Sequence, residues 1–118
     1  MSASEIAVFM EELEKTSCAD GVKYAAYGHV GDGNMHVTLY LEEENENWRG
    51  MIEKARRDMY GTVIRLGGTL TGEHGVGLKR REYIPMFLDE AQIELIRRVK
   101  LAFDPANILN PGKIVPWE

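Results

Sequence analysis

With 118 residues, 44% of them apolar, the chain is long enough for one domain with a modest core and too polar to live inside a membrane. A formal net charge of -5 argues against a nucleic-acid partner, because phosphate backbones select clustered positive charge. A single cysteine, Cys18, excludes an internal disulfide framework and points to a reducing, cytoplasmic-type compartment.

The opening Met1-Ser2-Ala3-Ser4-Glu5 has neither the charged n-region nor the apolar h-region of a signal peptide, and it reads as an internal boundary or a cloning start. Ser2 to Thr16 is predicted to be an amphipathic helix. Ile6, Phe9 and Leu13 fall at i, i+3 and i+7, and Ser2 with Glu5 has capping-box spacing. Asp20-Gly21 ends the segment, and Cys18 is read as an inert packing or surface residue. Val22 to His29 and His36 to Leu41 are strand candidates. Val37, Leu39 and Leu41 alternate with His36, Thr38 and Tyr40.

Between these strands lies Asp32-Gly33, a strong signal for a two-residue type I′ turn, which needs positive φ at both central positions. That turn sets Val30 opposite Met35 and His29 opposite His36, on one face with Cβ atoms about 4.5–5.5 Å apart. The following polar loop, Glu42 to Asn47, can cap the next helix through Asn45 or Asn47. That helix runs from about Trp48 to Leu66, with Ile52, Ala55, Met59, Val63 and Leu66 as its buried stripe, and Gly67-Gly68 stops it. Residues 67–77 hold five glycines, an entropic cost that close backbone approach to a bound group would justify. Asp89 and Gln92 then cap a last helix whose apolar face is Ile93, Ile96, Val99 and Phe103. A turn-rich tail, Asp104 to Lys113, follows. Only two strands are predicted, and a lone hairpin is marginal in water, so this reads as a piece of a larger antiparallel sheet in an α+β chain.

Two imidazoles and one carboxylate suit a divalent cation and leave positions open for a substrate. His29, His36 and Glu73 make such a set, against the plainer reading of a cross-strand histidine pair that only stabilises a hairpin. Glu73 and His74 are adjacent, so in an extended or helical backbone their side chains diverge and can have different jobs. Glu73 can be a ligand while His74 serves as a base near neutral pH. Asp32 is a structural turn residue or a rival ligand, and Asn34 can pin the loop through its amide. Lys79-Arg80-Arg81 is either a solvated run or a clamp for a carboxylate or phosphate. The glycine loop lacks the Gly-Lys-Ser/Thr ending of a P-loop.

Three motifs in order carry a resemblance: His-x-Gly-Asp-Gly-Asn-x-His from His29, Gly-Thr-Leu-Thr-Gly-Glu-His-Gly-Val-Gly from Gly68, and Asp-Pro-x-x-x-Leu-Asn-Pro-Gly-Lys from Asp104. The chain resembles the C-terminal end of the FAD-linked oxidases, of the glycolate oxidase, D-lactate dehydrogenase and D-2-hydroxyglutarate dehydrogenase type. The resemblance implies the second half of a ferredoxin-like substrate-binding domain, in an enzyme that oxidises a 2-hydroxy acid to a 2-oxo acid. It implies that His29, His36 and Glu73 hold a divalent metal, Zn or Mn, and that His74 deprotonates the substrate hydroxyl. It implies that Asn110 and Lys113 lie near the flavin of FAD, and it makes Asn34 and Thr38 candidate substrate contacts. Thr38 is a departure, since many relatives carry asparagine there, which weakens the D-2-hydroxyglutarate assignment.

The expected function is therefore the C-terminal part of an FAD-dependent enzyme for D-lactate or glycolate, with the flavin-binding domain outside residues 1–118. Alone, the chain is not expected to turn over. The expected partners are a small 2-hydroxy acid, a flavin-binding domain or subunit, and a second copy of the chain paired through an exposed sheet edge. The location is cytoplasmic, with membrane association through partners. The alternatives are a stand-alone metal-binding or partner-binding module without redox activity, and a small metallohydrolase.

Overall fold

The computed structural model describes residues 1–117 and folds as two compact units, Met1–Thr69 and a second that begins at Leu70. The first unit runs α1 (Ala3–Asp20), β1 (Lys23–His29), β2 (Asn34–Tyr40), α2 (Trp48–Arg65). With its helices and antiparallel strand pair the architecture is α+β, as expected.

Helix α1 starts where its sequence says it should. The Ser2 hydroxyl accepts the Glu5 N–H, and the Glu5 carboxylate accepts the Ser2 N–H at 2.6 Å. It continues a turn past Thr16, because no breaker precedes Gly21, whose N–H closes on the Ser17 carbonyl at 3.1 Å. Cys18 therefore lies on the helix and is exposed. Ile6, Phe9 and Leu13 are buried, as the spacing predicts, and α1 packs on α2 through this face. Full burial of each such side chain contributes about 1.5–3 kcal/mol.

On α2 the buried residues are Ala55, Met59, Tyr60, Thr62 and Val63; Ile52 and Leu66 are only half-buried. Neither asparagine caps this helix with its side chain, contrary to expectation. The Asn45 Oδ1 instead accepts the Asn47 N–H at 2.8 Å, so the side chain is spent on a local turn one step too early. The C-terminus closes in a Schellman motif: Gly68 N–H to Val63 O at 2.8 Å and Gly67 N–H to Ile64 O at 2.9 Å.

The second unit holds a 3-10 turn (Arg81–Tyr83), a four-residue helix α3 (Ile84–Phe87) and α4 (Glu90–Phe103). Tyr83 and Ile84 are 2% and 4% exposed and belong to the core, with Ile93 and Val115. A single helical turn offers no periodicity to read; the one local signal was Pro85 at the start of α3. The Asp89–Gln92 capping box of α4 forms as predicted, with bonds of 2.8 and 3.0 Å. Its predicted apolar face does not bury as a whole. Ile93 is buried and Ile96 half-buried, but Val99 and Phe103 are exposed. The four-residue α3 packs on α4 but is too short to cover its whole length. Among the described residues, no helix is long and apolar enough to cross a membrane.

Candidate functional site

The hairpin carries the first group of candidate residues. Its register pairs Ala25 with Thr38, Tyr27 with His36, Gly28 with Met35 and His29 with Asn34. The turn is thus not the two-residue Asp32-Gly33 turn. Val30–Asp32 forms a 3-10 turn, Gly33 N–H bonds the Val30 carbonyl at 3.0 Å, and Gly33 itself is left-handed at φ 74°. A four-residue loop built on such a turn replaces the type I′ geometry, and His36 faces Tyr27 rather than His29.

The two histidines still share a face in this register, because side chains alternate with period two. A slip of one residue would have put the histidines on opposite faces; the slip of two keeps them together. Tyr27, His29, Asn34, His36, Thr38 and Tyr40 share one face, while Tyr24, Ala26, Val37 and Leu39 form the more buried one. His29 and His36 are diagonal neighbours, with ring centroids 6.3 Å apart and planes near perpendicular. A Zn–N bond of about 2.0–2.1 Å puts the ring centroids of two imidazoles on one tetrahedral ion roughly 5 Å apart, so a shared cation would draw these two rings about 1 Å closer. Tyr27 lies against His36, centroids 5.1 Å apart.

Gly28 makes this diagonal approach feasible. Its φ is 155°, and a Cβ built there would sit 2.5 Å from the Asn34 carbonyl oxygen and 3.0 Å from Met35 Cα. No other residue fits where the two strands close on the loop.

The second unit carries Glu73, His74, Asn110 and Lys113. Glu73 and His74 do not diverge: His74 Nε2 lies 3.4 Å from Glu73 Oε1. Residues 72–74 form a bend, neither extended nor helical, so the alternation argument for adjacent residues does not hold there. Both side chains are solvent-accessible, at 48% for Glu73 and 65% for His74.

Asn110 is left-handed at φ 48° and exposed, and Lys113 Nζ donates to the Pro111 carbonyl at 3.0 Å. Two residues that the sequence named only within a motif and a basic run shape this tail. Asp104, 5% exposed, accepts the Ile108 and Leu109 N–H groups at 3.2 and 2.9 Å and pairs with the Lys100 ammonium. Lys100, then the two backbone donors, hold its carboxyl below the usual range against the opposing effect of burial. Its signal was the Asp104-Pro105 step after a helix, a turn-initiating pair. Arg81 was noticed only as part of a basic run, yet it donates to the Gly112 carbonyl at 2.6 Å, and Arg80 to the Gly75 carbonyl at 3.0 Å. Neither contact is visible in sequence spacing.

The family model described as FAD linked oxidases, C-terminal domain, matches residues 1–114. The glycolate oxidase subunit GlcD of Bacillus subtilis is 39% identical over 94% of this chain and 24% of its own length. A D-lactate dehydrogenase of Archaeoglobus fulgidus is 36% identical over 95% of this chain and 24% of its own length. The D-2-hydroxyglutarate dehydrogenase of Escherichia coli is 37% identical over 96% of this chain and 11% of its own length. The chain thus spans about a quarter or less of the curated relatives it matches. On a match that covers nearly all of its residues, the chain belongs to the C-terminal domain family of the FAD-linked oxidases.

Proposed function

We propose that the chain serves an FAD-dependent oxidation of a small 2-hydroxy acid, of the D-lactate or glycolate type, to the 2-oxo acid. The observation that carries this reading is the co-facial pair His29 and His36, ring centroids 6.3 Å apart, within a chain matched over residues 1–114 by one flavoenzyme family. In this reading His29, His36 and Glu73 hold a divalent metal, Zn or Mn. Bound there, such a cation would lower the pKa of a hydroxyl near it, and FAD would supply the two-electron acceptor that the oxidation needs.

The chain's own residues then have defined tasks. His74 takes the hydroxyl proton on its imidazole, and Glu73 orients that ring besides offering an oxygen to the cation. Asn34 and Thr38 share the face of the histidines and offer hydrogen bonds to a bound hydroxy acid. Asn110 and Lys113 border the flavin, which the partner flavin-binding domain or subunit supplies. A reducing, cytoplasmic compartment fits the single exposed cysteine.

The test is metal analysis of the purified chain beside His29→Ala, His36→Ala and Glu73→Gln. One divalent ion per chain, lost in each variant, is the expected result. Equal metal content in all four proteins overturns the reading.

A further inference from the structure

We propose that Arg81 is a positioning residue that locks the glycine loop bearing Glu73-His74 to the tail bearing Asn110 and Lys113. The inference rests on the functional reading above for what those loops do, but its geometry lies wholly within the second unit.

Arg80 and Arg81 are consecutive at the start of the 3-10 turn that Tyr83 and Ile84 anchor in the core. Neighbouring side chains leave a tight turn in different directions, and these two reach different segments. Arg80 Nη1 donates to the Gly75 carbonyl, one residue after His74. Arg81 Nη1 donates to the Gly112 carbonyl, one residue before Lys113. A third bond closes the triangle directly: the Ile114 N–H donates to the Gly77 carbonyl at 2.8 Å.

The tail is held under strain at that junction. Ile114 has φ 73°, costly for a β-branched residue, and the Val115 N–H bonds back to the Lys113 carbonyl at 2.9 Å in a γ-turn of the rare hand. Such a turn persists only where its surroundings over-determine it. Arg81 on Gly112, Gly77 on Ile114 and the fully buried Val115 side chain supply that determination. The guanidinium bond is charge-assisted and half-buried, the strong kind. The position of His74 and that of Lys113 are therefore set by one element, and neither loop relaxes without the other.

The experiment is amide hydrogen exchange on the chain, for wild type, Arg81→Ala and Arg81→Lys. In Arg81→Ala, exchange at Ile114 and across residues 72–78 rises about tenfold or more, while Ile93 to Leu101 in α4 stays protected. Arg81→Lys, which keeps one cationic donor, restores most of the protection. Unchanged exchange at Ile114, or a uniform rise that includes α4, overturns the proposal. In the flavin-loaded enzyme that contains this chain, Arg81→Ala lowers kcat about tenfold or more and leaves KM for the hydroxy acid unchanged. Raised local exchange with wild-type kcat overturns the positioning role. Coupled exchange in a protein whose wild type oxidises no hydroxy acid sinks the functional reading and leaves the lock standing.

Discussion

The rings of Tyr27 and His36 lie directly across the hairpin from each other, centroids 5.1 Å apart and planes inclined by 30°. Tyr27 is 67% exposed, so it is no core residue; its contact is with the imidazole itself. An aromatic wall narrows the rotamers open to His36, whose ring centroid lies 6.3 Å from that of His29. The opposed pair contributes about 0.2–1 kcal/mol to the hairpin.

The first prediction follows from that wall. Tyr27→Ala lowers unfolding stability by no more than about 1 kcal/mol. It also weakens zinc binding about three- to fivefold, by releasing a ring that the metal must then order. Titration of the apo-chain with zinc, beside denaturant unfolding, measures both. Unaltered zinc affinity means the stacking does nothing for the ligand.

Gly28 yields the second prediction. Alanine there must push its methyl into the Asn34 carbonyl oxygen, and it must adopt a φ that side chains resist. Gly28→Ala costs about 1–3 kcal/mol and opens the end of the hairpin, so His29 and His36 separate. The check is a chemical-shift map confined to residues 27–37, together with a lower denaturant midpoint. A variant as stable as wild type refutes the close approach.

What was legible in the sequence was what is decided locally. Ser2 with Glu5 and Asp89 with Gln92 cap their helices because the bonds join residues three apart. Ile6, Phe9 and Leu13 bury because one helical stripe meets α2 and the hairpin. The hairpin was legible in kind but not in register, since Asp32-Gly33 fits both a two-residue turn and the end of a four-residue loop. The face of the histidines survived only because the error was even. On α4 the apolar face was legible and the extent of its burial was not. Val99 and Phe103 obey the helical period, but period alone cannot say whether chain exists to cover them. Arg81 was read only within a basic run because its partner, Gly112, is brought to it by the tertiary fold; Asp104 bonds locally, to Lys100, Ile108 and Leu109, and no periodic pattern marks such a turn.

The third prediction concerns acid. The carboxyl of Asp104 is held below its usual range, so in the folded chain it stays ionised where the unfolded chain would take up a proton. Its stabilising contribution is present in full above the ordinary carboxylate range. It is lost as pH falls through that range toward the lowered value. Asp104→Asn should lower the melting temperature at neutral pH by several degrees, since one oxygen and the charge facing Lys100 are gone. The variant's stability should then change less steeply with acid than that of wild type. Parallel melting curves for the two proteins from pH 7 down to pH 3 contradict the assignment.

The last prediction separates exposure from packing on α4. Leu95, Val99 and Phe103 are 62%, 52% and 87% exposed, spaced four apart along one side of the helix. A large apolar side chain left in water contributes little to folding, so polar substitution there costs about 0.5 kcal/mol or less. The same face is an apolar stripe of the kind that promotes association. Phe103→Ser with Val99→Ser should therefore leave the unfolding midpoint within error of wild type and reduce self-association in sedimentation velocity. Ile93→Ser, at the fourth residue of α4 and 3% exposed, is the internal control and should cost several times more. If Phe103→Ser destabilises as much as Ile93→Ser, the outer half of α4 is packed in solution, and the exposed stripe is not a feature of the folded chain.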